Sequence, residues 1–180
     1  CRCSAWFDTS FTGPPMRKIV VTGNFSRTSD GRVLEDVFVD KLRASGVEGI
    51  AGHTIRLDDP ALSDEAFKAA VVDTGAQGLL LVTLLGVDTR TQVSTTMVHG
   101  GMGWGRGTWG GATRTMIPVQ EVRQYEIATV ETKLFDVPSR RLVWAATTTT
   151  FNPRSVAREA PAFASLVVGQ LADRDIIARK

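Results

Sequence analysis

Apolar and polar residues alternate along the first half of the chain with two different periods, which predict strands and helices in turn. The β-branched run Lys18–Thr22, closed by a Gly-Asn pair, indicates a first strand. A helix should follow, capped by Ser29 or Asp30 and ended at Gly46, because apolar residues recur there every three or four positions. These apolar residues are Val33, Leu34, Val37, Phe38 and Leu42.

Two more strands and a second helix complete the first half. Residues 47–55 predict a strand that two glycines weaken. Ser63, followed by two acidic residues, is typical of a helix N-cap, and the apolar positions behind it should face inward. Those positions are Phe67, Ala70 and Val71. The continuous apolar run from Gly78 to Val87 is typical of a strand buried on both faces at the centre of a sheet.

The second half predicts a long hairpin followed by a helix. Residues 121–136 and 140–151 indicate two strands, joined by a short turn that contains proline and serine. A helix should then begin at Asn152-Pro153, and Pro161 either kinks it or opens its main part.

The order of these elements predicts one α/β (or α+β) domain over residues 17–180. It reads β-α-β-α-β, a long Gly/Trp-rich insertion at 97–113, and then β-β-α, which gives a mixed sheet with helices packed on it. Right-handed crossovers should make the first three strands parallel. The expected core is Val37, Phe38, Phe67, Val71, Leu81, Trp144, Phe163 and Val167.

Composition and charge are those of an ordinary globular domain. The chain has 180 residues, of which 43% are hydrophobic and 22% charged, so it is long enough to bury a proper core. The net charge is +2, and the basic residues are scattered along the sequence rather than clustered. We therefore expect no nucleic-acid partner.

The two cysteines, Cys1 and Cys3, favour a lipid anchor over a disulfide. A bond between them would close a strained ring, and two thiols this close make a poor metal site. In bacterial lipoproteins the signal peptide is cut before a cysteine that then carries lipid, and a small residue precedes that cysteine. Arg2 precedes Cys3, so Cys1 is the expected lipidation site. The alternative is that both are ordinary thiols.

Residues 1–16 predict an arm close to the lipid rather than a regular element. From Arg2 to Met16 the sequence shows no helical or strand period and contains two consecutive prolines, which is typical of an extended tether. It also carries Trp6, Phe7 and Phe11, which a solvated spacer does not need. We expect these aromatic side chains to contact a surface, whether that of the domain, a membrane or a partner.

The segment HGGMGWGRGTWGG, from His99, is the most unusual part of the sequence. Glycines cannot pack a core, whereas tryptophan and arginine are enriched at interface hot spots and methionine adapts to irregular surfaces. We predict that residues 87–97 and 112–121 extend into a projecting hairpin whose tip contacts a partner protein or a membrane. The tip residues in question are Met102, Trp104, Arg106 and Trp109. In the alternative, the tryptophans fold back on the domain.

Known catalytic and cofactor motifs are absent from the sequence. Gly105, Gly107 and Gly110 fit the dinucleotide pattern G-x-G-x-x-G, but the β-branched residues and Pro118 that follow exclude the helix which that pattern requires. His53 is interpreted as an ordinary strand residue. We therefore expect no catalytic residue, no metal and no cofactor apart from the lipid on Cys1. The alternative is a small-ligand binder or enzyme that uses the Gly/Trp loop as a lid, with His99 and Arg106 reaching into a cleft.

The stretch LFDVPSRRLVWAATTTT, together with the order of elements, resembles a group of bacterial envelope lipoproteins whose fold is similar to the N-terminal domain of TolB. The resemblance covers about residues 17–175 and rests on structural motifs. It implies a non-catalytic binding or structural subunit, held by lipid at the periplasmic face of a bacterial membrane among other subunits of an assembly. Because Arg2, not Asp, follows Cys1, the resemblance favours the outer membrane over the inner one.

Overall fold

The computed structural model describes residues 2–99, 116–151 and 156–179. In these ranges, six strands form one mixed sheet and three α-helices pack on it, which confirms the predicted fold class. The elements in chain order are β1 (Arg2–Phe7), β2 (Lys18–Asn24), α1 (Thr28–Ala44), β3 (Glu48–Ala51), a 3₁₀ helix (Gly52–Ile55), α2 (Asp64–Asp73), β4 (Gly78–His99), β5 (Met116–Asp136), β6 (Arg141–Phe151) and α3 (Val156–Asp173).

The strand order across the sheet is β1-β6-β5-β4-β2-β3. β2 pairs in parallel with both β3 and β4, which confirms the prediction that the three strands around the first two helices are parallel. β5 and β6 pair antiparallel and form the predicted long hairpin, and β4 pairs antiparallel with β5 on its other side. β4 therefore lies inside the sheet, where its parallel and antiparallel halves meet.

Helices cover the two faces of the sheet unequally. Ile19 and Val21 belong to a large core under α1 and α3, whereas Val20, between them, belongs to a smaller core under α2. This split follows from the alternation of side chains along a strand. In the larger core Trp144 is fully buried and Phe38 packs edge-on against Phe163, with ring centroids 5.6 Å apart.

The predicted core residues fall into two groups. Four are buried and four are half-buried; the buried ones are Phe38, Val71, Trp144 and Val167, and the others are Val37, Phe67, Leu81 and Phe163. The prediction that β4 is buried on both faces is wrong. Leu80 and Val82 are buried beneath α1 and α3, but Leu79 and Leu81 are half-buried because the short helix α2 covers little of the other face.

One of the predicted helix N-caps agrees with the structure. The Ser63 hydroxyl accepts the Ala66 N–H at 3.2 Å, as the N-cap prediction requires. The predicted caps of α1 are wrong, because Ser29 and Asp30 lie inside its first turn and Arg27 occupies the N-cap position. α3 runs through Pro161, while its predicted start at Asn152-Pro153 lies outside the described residues.

The second predicted strand, residues 47–55, is shorter than expected. It ends at Ala51, and a 3₁₀ helix replaces its second half. At this bend Gly52 lies so close to β2 that a Cβ atom would meet the Val21 carbonyl oxygen at 3.0 Å. His53 therefore belongs to the 3₁₀ helix, and its interpretation as a strand residue is wrong.

The N-terminal segment is not the extended linker that the sequence predicts. Residues 2–7 form β1, which pairs antiparallel with β6 from Arg2↔Thr149 to Phe7↔Trp144. Met16 is 1% exposed and bridges to Ile177 beside the C-terminal segment. The strand was missed because six residues are too few to show a period, while the partner strand that completes the ladder lies at the other end of the sequence.

Candidate functional site

The outer half of the β4–β5 pair is the most distinctive surface of the molecule. Neighbouring strands stop early: the β2 ladder on β4 ends at Asn24↔Thr83, and the β6 ladder on β5 ends at Phe151↔Ile127. The β4–β5 ladder itself continues to His99↔Met116. Within the described residues, positions 86–99 and 116–126 thus form a two-stranded ribbon, which we call the β ribbon. The predicted projecting hairpin is confirmed as far as these strands.

A bulge marks the place where the ribbon leaves the sheet. The register shifts between Leu84 and Gly86, and Leu85 is 57% exposed. Further out, Val93 and Val122 face each other across the two strands and are 58% and 59% exposed. An isolated two-stranded hairpin is at best marginally stable in water, so these exposed β-branched residues mark a surface that a partner can cover.

The two faces of the ribbon differ in charge. Residues directly opposite each other in an antiparallel pair share a face. One face carries Asp88, Arg90, Glu121 and Arg123, and the Arg123 Nε lies 2.8 Å from a Glu121 carboxylate oxygen. The described residues of the other face are mostly uncharged, apart from Glu126. The uncharged ones are Val87, Thr89, Thr91, Val93, Val122 and Gln124.

The predicted contact residues at the tip lie outside the described residues. They are Met102, Trp104, Arg106 and Trp109. The side chain of His99, which the lid hypothesis uses together with Arg106, is outside as well. The described part of the two strands therefore ends at His99 and Met116. The roles of the predicted tip residues stay predictions.

The three N-terminal aromatic residues occupy different environments. Phe7 and Phe11 are half-buried against the main core, and the Arg174 guanidinium lies 4.0 Å from the centre of the Phe7 ring. Trp6 is 53% exposed and lies opposite Ala145 of β6. Since strand neighbours alternate, Trp6 points away from the face that carries α1 and α3. Of the three, Trp6 remains a candidate contact with a membrane or a partner.

Cys3 is placed as a packing residue. Its Sγ lies 3.5 Å from Gln170 Nε2 and 3.6 Å from the Thr148 hydroxyl, between β6 and α3. The Cys3 side chain is half-buried, so its sulfur is part of the packing between β6 and α3. Cys1, the predicted lipidation site, lies outside the described residues and directly precedes β1.

A polar cluster fixes β1 beside β6. Asp8 accepts hydrogen bonds from the Ser10 hydroxyl at 2.6 Å and the Ser10 N–H at 2.9 Å, and it pairs with Arg141. The Ser10 hydrogen bonds, helped by the positive charge of Arg141, lower the pKa of Asp8 below its ordinary value of 3.8. These contacts tie the turn after β1 to the start of β6.

One buried carboxylate was not predicted from the sequence. Glu35 of α1 is 1% exposed; one of its oxygens accepts the Gly23 N–H at 2.9 Å, and the other accepts the His53 N–H at 2.8 Å. The His53 Nδ1 lies 2.7 Å from the same second oxygen. Because the carboxylate satisfies groups on β2 and on the 3₁₀ helix, it connects three elements. A glutamate between Leu34 and Phe38 on the inward face of α1 was the available signal.

A cleft of about 420 Å³ lies beside this carboxylate, at the carboxyl end of β2. Ligands of open α/β sheets bind at such an edge, so the cleft is where a binder or enzyme would be expected. Its charged groups are paired: Arg32 Nε lies 2.8 Å from Asp58 Oδ2, and Glu35 pairs with His53. This pairing is typical of structural contacts. Among the residues described, no three His, Cys, Asp or Glu side chains form a group that could hold a metal ion.

None of the described helices is long and apolar enough to cross a membrane. No protein-family model and no curated protein matches the sequence.

Two solved structures share the fold over nearly the whole chain. The PelC dodecamer from Paraburkholderia phytofirmans is 16% identical, covers 99% of this chain and 100% of its own, and has a TM-score of 0.53. A leucine-to-methionine variant of that dodecamer is 16% identical over 95% of this chain and 98% of its own, with a TM-score of 0.50. This protein therefore has a PelC-like fold.

A weaker match is the lipoprotein GNA1162 from Neisseria meningitidis. It is 13% identical over 87% of this chain and 98% of its own, with a TM-score of 0.38, which is too low to carry an argument. The similarity to the N-terminal domain of TolB stays a prediction.

Proposed function

We propose that this protein is a lipid-anchored, non-catalytic subunit of an assembly at the periplasmic face of a bacterial membrane, and that its partners are further copies of the same chain. The observation that carries the proposal is the β ribbon, whose strands extend past β2 and β6 and expose Val93 and Val122. A ribbon of this kind gains stability when a partner covers it. The PelC-like fold supports copies of the chain as the partner, since PelC forms a dodecamer.

The anchor in this proposal is a lipid on Cys1. β1 begins at Arg2, so an acylated Cys1 would hold the edge of the sheet directly against the bilayer, without a spacer. Trp6 on the same strand would then lie near the headgroups, where tryptophan is favoured. The position of Cys3 under α3 supports Cys1 as the modified residue. Arg2 after the cysteine supports the outer membrane, as the lipoprotein resemblance implies.

The assembly part of the proposal is tested by removing the ribbon. Replacing residues 88–127 with Asn-Gly would join Val87 and Ala128, which already face each other, through a two-residue hairpin turn. The detergent-solubilised wild-type protein should sediment as an oligomer and the shortened protein as a monomer, and circular dichroism should show that the shortened protein is folded. A monomeric wild type, or a shortened protein that assembles equally well, would refute the proposal.

The anchor is tested separately by mass spectrometry of the N-terminal peptide from natively expressed protein. Acylation should be found on Cys1. An unmodified Cys1 would remove the anchor from the proposal while leaving the assembly unaffected.

A further inference from the structure

The edges of the β ribbon, as well as its faces, are open within the described residues. β4 has its last β2 partner at Thr83, and β5 has its first β6 partner at Ile127. The outer backbone groups of residues 84–95 and of 119–126 therefore have no strand partner in the described part of the chain. Pro118, which has no N–H, sets the outer limit of the β5 edge. Long open edges are templates for pairing with another strand.

We infer that these edges pair between copies of this chain, with the β4 edge of one copy against the β5 edge of the next; the inference rests on the proposed function above. β4 runs toward the tip and β5 returns from it, so ribbons that point the same way meet antiparallel. Each added copy satisfies one edge and presents a new one. Such head-to-tail contacts form a ring when the rotation between successive copies closes.

Charge complementarity selects one register for this contact. Asp88 and Arg90 lie two residues apart on β4, and Glu121 and Arg123 lie two residues apart on β5, all on one face. In an antiparallel pairing, the register that puts Asp88 opposite Arg123 of the next copy also puts Arg90 opposite Glu121. Both opposite-charge pairs form together, and opposite charges across strands stabilise a sheet.

The same register is compatible with the other face. It places Thr89 of one copy opposite Val122 of the next, so that an uncharged side chain meets a β-branched one. Within one copy, Asp88 faces Ile127 and Arg90 faces Tyr125. Asp88 and Arg90 have no ion-pair partner among the described side chains, and the neighbouring ribbon would place an opposite charge beside each of them.

The test exchanges charges between the two edges. Asp88→Arg alone would set two arginines opposite each other at every contact, and Arg123→Asp alone would set two aspartates opposite each other. We expect each single variant to bind its own copies about tenfold more weakly in sedimentation velocity, because like charges directly opposite are destabilising. The double variant, which inverts the pair, should recover wild-type assembly to within about threefold.

Mixing the two single variants gives the sharpest measurement. In the mixture each Asp88→Arg copy can lie between two Arg123→Asp copies, and every contact then pairs opposite charges. The mixture should assemble about as tightly as the wild type although each variant alone binds its own copies more weakly, which an effect on folding cannot produce. Asp40→Arg, a charge reversal on the exposed side of α1, serves as a matched control and should assemble like the wild type.

The outcomes separate this inference from the function on which it rests. A wild-type oligomer whose single variants assemble normally, or whose mixed variants fail to assemble, would overturn the edge register and leave the assembly role intact. A monomeric wild type would refute both.

Discussion

The buried carboxylate of Glu35 should account for a large part of the stability of this domain. Glu35→Ala removes the acceptors of the Gly23 and His53 backbone N–H groups. A buried donor left without an acceptor costs about 1–3 kcal/mol, so the two together should lower the free energy of unfolding by about 2–6 kcal/mol. Small domains are stable by only about 5–15 kcal/mol, so this substitution should shift the unfolding midpoint strongly.

Two further variants separate the hydrogen bonds from packing and from charge. Glu35→Gln keeps the side-chain volume and one acceptor oxygen, and it should cost about 1–3 kcal/mol, half the effect of alanine. Asp36→Asn is the control, because Asp36 is the next residue in the sequence and its side chain is 64% exposed. Its carboxylate lies 3.5 Å from His53 Nε2, which is a weak, solvent-exposed contact. It should change stability by less than about 0.5 kcal/mol.

The assay is equilibrium unfolding in urea, monitored by circular dichroism. If the dependence of the unfolding free energy on urea concentration is the same in all variants, the shift in midpoint gives the change in stability. If Glu35→Gln proves as harmless as Asp36→Asn, the carboxylate does not join β2, α1 and the 3₁₀ helix as described. If Glu35→Gln proves as costly as Glu35→Ala, the negative charge rather than the number of acceptors is responsible.

Three other predictions follow from single side chains. The Thr132 hydroxyl is buried without a hydrogen-bond partner among the described residues, so Thr132→Val should raise the unfolding free energy by about 1 kcal/mol, whereas the exposed Thr147→Val should change it little. The lowered pKa of Asp8 means that its contribution to stability is complete above pH 3.8 and is lost as the pH falls through the lowered pKa. Amide exchange in β1, corrected for intrinsic rates, should therefore accelerate in that range, and Asp8→Asn should abolish the step. Cys3 is half-buried against α3, so maleimide should label it more slowly in the folded protein than after denaturation, and equal labelling rates would contradict its place between β6 and α3.

Sequence patterns predicted the elements whose signals are long or chemically specific. The β5–β6 hairpin is an example: Asp136 accepts the Ser139 N–H at 3.0 Å in the turn, which is the chemistry that Asp and Ser indicate there. The N-cap of α2 at Ser63 is another. In both cases the residues that decide the structure are neighbours in the sequence.

The missed features depend on residues far apart in the sequence. β1 is too short to show a period, and its ladder requires the distant strand β6. Glu35 looks like an interruption of an apolar helix face until Gly23 and His53 are seen on either side of it. The ribbon was predicted from the unusual segment between its two strands, whereas its open edges follow from where β2 and β6 stop, which no local pattern specifies.

The pairing of β1 with β6 also has a consequence for timing. β1 and β6 lie far apart in the sequence, so a chain that emerges N-terminus first carries β1 unpaired until β6 has followed. Once β6 has formed, β1 pairs with it and Cys3 packs against α3. The sheet is therefore completed late, and the Cys3 thiol is most accessible before β6 and α3 have formed.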